Sequence, residues 1–311
     1  MDAIVKKIKL FFHPVIVFSA FLLLISACSR QIETGQDKIL VAASIEPVTD
    51  FVRQVGGDYV EVFTVIPPNT DPHTFELKPE LLVKISESRM LVINGIGLEY
   101  WADKIKASVN RKDFMLVDTS LGVTIIEESD LEHGDDEAVH HPLGNPHIWL
   151  NPQNAIIQVN NIKDALILAD SVHAQVYRAN AEQYIKLLQE VDAEFSREIS
   201  SWKVKKFVCY HPAWEYFSRH YGLVQAAVIQ KSPGFEPGPR EVADIIETIK
   251  ELQVKAIFTE AQIPDRLTQS IAQEGKISVI SLDPIGSYIH IANYIDMMKY
   301  NIRQMAGAMK E

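Results

Sequence analysis

Short apolar runs rich in β-branched residues alternate along this chain with stretches whose apolar residues recur every three or four positions. Runs of the first kind, bounded by polar or Gly/Pro-containing segments, read as strands. They fall at Ile39–Ala43, Val60–Ile66, Met90–Asn94 and Phe114–Asp118, and again at Phe207–Tyr210, Val224–Ile229, Ala256–Thr259 and Ser278–Leu282. Strands separated by helical patterns predict parallel βαβ units, because a parallel neighbour can be reached only by a long crossover. The two halves each supply four strands without a close sequence repeat, so the expected fold class is α/β, with two lobes built on mainly parallel sheets.

Between the halves lies the clearest helical pattern. Tyr177, Tyr184, Leu188, Val191, Phe195, Ile199 and Trp202 recur at steps of three, four or seven and form one apolar stripe. A helix from Ala174 to Ser200 would run ~40 Å at 1.5 Å per residue, the height of a domain. The expected organisation is an N-terminal lobe over residues 39–173, a linking helix over 174–202 and a C-terminal lobe over 203–311. A helix is a stiff joint, so large closure of the lobes around a ligand is not expected.

The N-terminus follows another pattern. Lys6, Lys7 and Lys9 precede the uncharged stretch Leu10–Ser29, which carries small residues before Cys28. A basic segment, an apolar segment and a small-residue cleavage point describe an export signal over residues 1–27. Twenty uncharged residues could just span a bilayer, but His13 and Pro14 shorten the apolar part. Ile25-Ser26-Ala27-Cys28 resembles the lipobox of bacterial lipoproteins, whose cysteine becomes the lipidated first residue. Lipidation at Cys28 is the expectation, with residues 28–38 as a polar tether; an uncleaved anchor or a plain secretory signal are the alternatives. Each places the folded part outside the cytoplasm, in the periplasm or at the cell surface.

Composition agrees. With Cys28 lipidated, only Cys209 remains and no intramolecular disulfide can form; in the apolar run Phe207–Tyr210 it reads as a small core residue. Loss of residues 1–27 removes three lysines and one aspartate, taking the net charge from −11 to −13. Such acidity excludes nucleic acid as an expected partner and suits a protein that meets cations, expected to be a monomer. The segment from Glu127 to Asn145 concentrates this charge: seven Asp or Glu, His133, His140 and His141, and no Lys or Arg. It reads as a loop, either a weak metal-collecting segment or a solvated insertion. A second loop, Ser232 to Pro239, is Pro/Gly punctuation, with Pro239 placed to open the next helix.

Four segments end apolar runs with residues that bind metals: Asp71-Pro72-His73, Asn145-Pro146-His147-Ile148-Trp149, Tyr210-His211-Pro212-Ala213-Trp214 and Ser281-Leu282-Asp283-Pro284. Open parallel sheets bind ligands beyond the carboxyl ends of their strands, where His211, Glu260 and Asp283 fall directly and His73 after a loop. Prolines beside each candidate restrict the backbone and reduce the entropy lost when an ion is gripped. His73, His147 and His211 offer imidazole nitrogens and Asp283 a carboxylate. Glu260 is expected to orient a histidine N–H, with direct ligation as the alternative. His173, His220 and His290 read as surface residues, and Phe75, Trp149, Trp214 and Tyr216 as packing that excludes water.

Catalytic signatures are missing: there is no His-Glu-x-x-His, Gly-x-Ser-x-Gly, phosphate-binding glycine loop or Cys-x-x-Cys. A catalytic zinc keeps one position for water, whereas four protein ligands close it. A carrier is therefore expected and an enzyme is not, a secreted zinc hydrolase being the rival of that class.

These motifs, with Tyr177-Arg178-Ala179-Asn180-Ala181-Glu182-Gln183-Tyr184, His211-Pro212-Ala213-Trp214-Glu215-Tyr216-Phe217 and Glu236-Pro237, resemble the solute-binding proteins of metal-uptake ABC transporters, the zinc/manganese-binding cluster A-I family. The resemblance runs from about Ile39 onward. It implies two Rossmann-like lobes joined by a long helix, a metal ion in the cleft between them, and delivery to a membrane permease driven by an ATPase. Histidine at position 211 goes with zinc in that family, and a carboxylate there with manganese or iron. Ligand chemistry points the same way, since imidazole suits Zn²⁺ and oxygen suits Mn²⁺. A Mn²⁺ or Fe²⁺ carrier, and a surface adhesin on the same scaffold, remain the alternatives.

Overall fold

The computed structural model describes residues 38–127, 143–231, 236–260, 266–286, 291 and 293–310. The export signal, Cys28, most of the acidic segment with His133, His140 and His141, and His290 lie outside the described residues.

Among the described residues, eight strands form two parallel four-stranded sheets. The first contains β1 (Ile39–Ala43), β2 (Val60–Thr64), β3 (Met90–Ile93) and β4 (Met115–Asp118), in the order β2-β1-β3-β4. The second contains β5 (Lys206–Cys209), β6 (Val224–Val228), β7 (Ala256–Glu260) and β8 (Ser278–Leu282), in the matching order β6-β5-β7-β8. Helices cover the sheets: α1 (Glu46–Gly56), α2 (Pro79–Glu87), α3 (Ala102–Ser108), α4 (Pro152–Ala169), α5 (Ala174–Ser200), α6 (Glu215–Tyr221), α7 (Pro239–Glu251), α8 (Arg266–Gly275) and α9 (Tyr294–Met309). Strands buried on both faces read as continuous apolar runs, and β3 is buried at every position.

Local signals set the helix starts. Proline stands in the first turn of α1, α2, α4 and α7, where its missing N–H forfeits no intrahelical bond. Asn151 caps α4 by accepting the Gln153 N–H, and Asn293 caps α9 by accepting the Asp296 N–H. At α7 the Glu241 carboxylate reaches back to the Gly238 N–H at 2.9 Å.

The long helix α5 has 27 residues, ~40 Å of axis. Its buried side is Tyr177, Ala181, Tyr184, Leu188, Val191, Phe195 and Ile199; Trp202 lies beyond its end and is also buried. Its two halves hold different lobes. Asn180 Nδ2 donates to the Val55 carbonyl at the end of α1, and the Tyr184 hydroxyl to Asp50 Oδ2. Farther along, Asp192 accepts from His220 Nε2 and the Tyr221 hydroxyl, both at 2.7 Å, on α6 of the second lobe. It also accepts from Gln153 of α4.

Helix α9 follows the second sheet in sequence and packs on both lobes. The Tyr294 N–H donates to Asp50 Oδ2, its hydroxyl donates to the Trp149 carbonyl, and its ring meets Phe51 edge-on at 4.9 Å. One hydrophobic cluster accordingly runs from Val41 and Phe51 through Leu188 to Phe207, Phe258 and Met298. A second cluster, around Ile245, Ile257 and Ile271, lies between the second sheet and α7 and α8.

The reading of one histidine changes, while His220 is exposed as expected. His173 is half-buried, stacked on Tyr59 at 4.0 Å, with Nδ1 2.5 Å from Asp170 Oδ2. His220 stays near the surface but is held by Asp192. Asp170 follows the end of α4, whereas Asp192 lies within α5.

Candidate metal centre

The carboxyl ends of both sheets carry the candidate ligands. In the first lobe His73 stands on the loop after β2, and His147 follows the long connection after β4. Both arrive through the same local device. Asp71 Oδ1 accepts the His73 N–H at 2.9 Å, and Asn145 Oδ1 accepts the His147 N–H at 3.0 Å. These are Asx turns, with proline as the intervening residue limiting the backbone further. In the second lobe His211 lies two residues beyond β5, Glu260 is the last residue of β7, and Asp283 directly follows β8.

The three imidazoles converge. His147 Nε2 lies 3.1 Å from His73 Nε2 and 3.2 Å from His211 Nε2, and one nitrogen from each ring falls within 4.8 Å of the others. Ligands at 2.0–2.1 Å from one tetrahedral ion would stand about 3.3 Å apart. His147 is 4% exposed; His73 and His211 are half-buried, so the cluster opens to one side.

Hydrogen bonding fixes what two of these rings present. Asn145 Nδ2 donates to the Pro212 carbonyl at 2.8 Å, with Glu215 Oε2 at 3.4 Å. Its Oδ1 is therefore the acceptor, and His147 Nδ1, 2.8 Å away, is the donor. At the other ring, His211 Nδ1 lies 2.6 Å from Glu260 Oε1 and donates to that carboxylate. Burial works against charge on His211, but Glu260, with Asp71 adding to it, outweighs burial and holds the imidazole above its ordinary value. With both Nδ1 atoms protonated, the two Nε2 lone pairs face each other across 3.2 Å. That contact repels unless a cation, either a proton or a metal ion, lies between the rings.

Asp283 is 1% exposed. Its Oδ1 accepts the N–H groups of Gly286 at 2.7 Å and Ile285 at 3.2 Å, while Asn301 of α9 clamps its backbone on both sides. It lies outside the set of mutually close ligand atoms, which among the described residues comprises the three histidines. Phe75, Trp149, Trp214 and Tyr216 are all at most 5% exposed. Trp149 also donates its indole N–H to the Pro284 carbonyl, joining the first lobe to the turn after Asp283.

Tyr216 does more than pack. Its hydroxyl accepts the Ile126 N–H and donates to the Asn145 carbonyl, so a side chain of α6 braces the first-lobe segment that delivers His147. Beneath that segment, Asn94 Nδ2 donates to the Pro146 carbonyl. Asn94 in turn is held by Gln158 and by Glu99, which accepts the N–H groups of Asn94 and Gly95. Gly95 has φ +98°, and a Cβ there would come within 2.2 Å of Asp118 Oδ1, so this turn requires glycine. Burial pushes the Glu99 carboxyl up to about 7, against the opposing effect of its hydrogen bonds from Ser44, Gly95 and Asn94. Sequence patterning named Tyr216 only as packing and gave no role to Asn94, Glu99 or Gln158. The available signal was the Asx position two residues before His73 and His147, which marks Asp71 and Asn145 as acceptors.

Known proteins resemble this chain in sequence and in fold. Residues 41–308 match the family described as zinc-uptake complex component A, periplasmic. Zinc-binding lipoprotein AdcA of Streptococcus pneumoniae is 28% identical across 96% of this chain, which spans 60% of AdcA's own length. Manganese ABC transporter substrate-binding lipoprotein PsaA of Streptococcus anginosus is 26% identical across 96% of this chain and 97% of PsaA. The crystal structure of a ZnuA superimposes with a TM-score of 0.77 at 31% identity, covering 88% of this chain and 99% of that one. The chain belongs to the family of zinc-uptake complex component A proteins.

Proposed function

We propose that this chain captures Zn²⁺ outside the cytoplasm and hands it to the permease of an ATP-driven importer, without catalysing a reaction. The observation that carries the reading is that His147 Nε2 stands 3.1–3.2 Å from the Nε2 atoms of His73 and His211, on two lobes, a spacing suited to one tetrahedral ion. His73, His147 and His211 are the proposed ligands, and Asp283, positioned by Asn301 and the Ile285–Gly286 turn, is the proposed fourth. Zn²⁺ is the transported cargo, so a filled coordination sphere is what the task requires. An all-imidazole trio favours Zn²⁺ over Mn²⁺, while the manganese-named relative PsaA makes a Mn²⁺ carrier the second reading. Lipidation at Cys28, supported by the lipobox-like segment and by relatives named as lipoproteins, would hold the protein at the membrane beside the permease.

Elemental analysis of the purified protein, followed by zinc-against-manganese competition on the wild type and His211→Glu, tests this. Zinc should win in the wild type, and the substitution should shift preference toward manganese. Manganese preference in the wild type would overturn the zinc assignment.

A further inference from the structure

Each of the two rings whose Nδ1 partner is defined has a different one. His211 is held by a carboxylate on its own sheet, whereas His147 is held by a neutral amide that is itself anchored in the other lobe. Asn145 has all of its side-chain polar atoms engaged: Oδ1 takes the His147 backbone N–H and its ring Nδ1–H, and Nδ2 reaches the Pro212 carbonyl next to His211. Its own carbonyl is held by the Tyr216 hydroxyl of α6. It is 1% exposed, so no solvent competes for these bonds. Because Nδ2 is committed to Pro212, the amide cannot flip, and His147 is confined to the tautomer that turns the Nε2 lone pair toward the other two rings.

We propose that Asn145 is a positioning residue that makes the aim of His147 conditional on the placement of the second lobe, and so sets how long the ion is retained. This deepens the zinc-carrier reading and rests on it. A shift of the His211–Tyr216 segment would pull on Asn145 at two points, Nδ2 and the carbonyl oxygen, and turn Oδ1 away from His147 Nδ1. Ligand loss would then begin at His147, whose Nδ1 is held by the amide that reaches across to the second lobe. A metal-binding imidazole commonly has its second nitrogen held by an outer partner, and loss of that partner weakens binding by roughly 10–100-fold.

The test compares Asn145→Ala, Asn145→Asp, Tyr216→Phe and His147→Ala with the wild type. Three quantities are read: the rate of zinc loss to excess chelator, the visible spectrum of the Co²⁺-substituted protein, and the unfolding midpoint without metal. Asn145→Ala should release zinc roughly 10–100-fold faster and alter the cobalt spectrum. Asn145→Asp keeps an acceptor for Nδ1–H and should restore the cobalt spectrum, while losing the bond to Pro212 and releasing zinc at an intermediate rate. Tyr216→Phe leaves His147's own bonds intact and should quicken release by less than about 10-fold.

Release in Asn145→Ala within threefold of the wild type, or equal release in the Ala and Asp variants, would overturn the assignment. Lowered metal-free midpoints with unchanged release would reduce Asn145 to a structural residue and overturn it equally. If His147→Ala retains zinc as the wild type does, the site reading itself fails and takes this one with it. If His147→Ala loses zinc while Asn145→Ala does not, only the present inference falls.

Discussion

The two lobes share one sheet order and deliver their candidate ligands by different means. In the second lobe the sheet itself does the positioning: His211, Glu260 and Asp283 lie within two residues of a strand end or on one. In the first lobe both histidines stand on loops, nine residues past the end of β2 for His73 and farther past β4 for His147. Precision there comes from Asx turns, from Asn94 beneath Pro146, and from contacts reaching over from the second lobe. Ladder hydrogen bonds make a strand end stiff without further help. A loop reaches the same precision only when its polar groups are individually held, so the first half of the site depends on the second more than the reverse.

Four measurements would break or sharpen that contrast. The largest effect is expected from the proposed ligands: His147→Ala and His211→Ala should each weaken zinc binding by more than about 100-fold, beyond what loss of an outer partner produces. Equilibrium competition with a chelator of known affinity would show it, and tight binding by either variant would remove that ring from the site.

Next comes the pH response of the first-lobe support. Folding raises the Glu99 carboxyl from 4.5 to about 7, so the folded state binds the extra proton between those values. Its contribution is present below about pH 4.5 and is lost as pH rises toward 7, by up to about 3 kcal/mol. Urea midpoints of the metal-free wild type and Glu99→Gln, compared at pH 5 and pH 7, should differ in slope, the variant being flatter. Parallel slopes would place the charge elsewhere.

Glu260→Gln should weaken zinc binding by roughly 10–100-fold, because the amide supports the His211 Nδ1–H less strongly than a carboxylate does. Isothermal titration would measure it; an unchanged affinity would mean that the second-lobe strand end needs no partner. The smallest change is expected from Tyr216→Phe on stability. Loss of the hydroxyl leaves the buried Ile126 N–H without its acceptor, which costs about 1 kcal/mol, and the denaturation midpoint of metal-free protein would show it.

Much of the architecture was legible from residue patterning, for identifiable reasons. All eight strands stand where β-branched runs lie, and the stripe from Tyr177 to Ile199 marks α5 because one face of it meets both lobes. The edges differ by a residue or two. β2 stops at Thr64 because its partner β1 stops at Ala43, although Val65 and Ile66 still donate to Ala43 and Ser44. Asn94 leaves β3 because its N–H turns to the side chains of Ser44 and Glu99, and Phe114 precedes β4 because its N–H closes a turn onto Arg111. Ala181 escaped the stripe because a methyl group gives little periodic signal.

The convergence of His73, His147 and His211 was legible from strand ends and Pro-containing turns. The bonds that orient them were not. Asn145 meets Pro212 across 67 residues and Tyr216 across 71, and no local periodicity encodes such pairings. Aromatic character identified Tyr216 as packing, but the destination of its hydroxyl depends on how two lobes meet.

The docking of Tyr294 on Asp50 and Phe51 spans 244 positions of sequence. Removing residues 293–310 would therefore take from the β1–β4 lobe a donor to Asp50 and a ring against Phe51, although all four of its strands lie far earlier in the sequence.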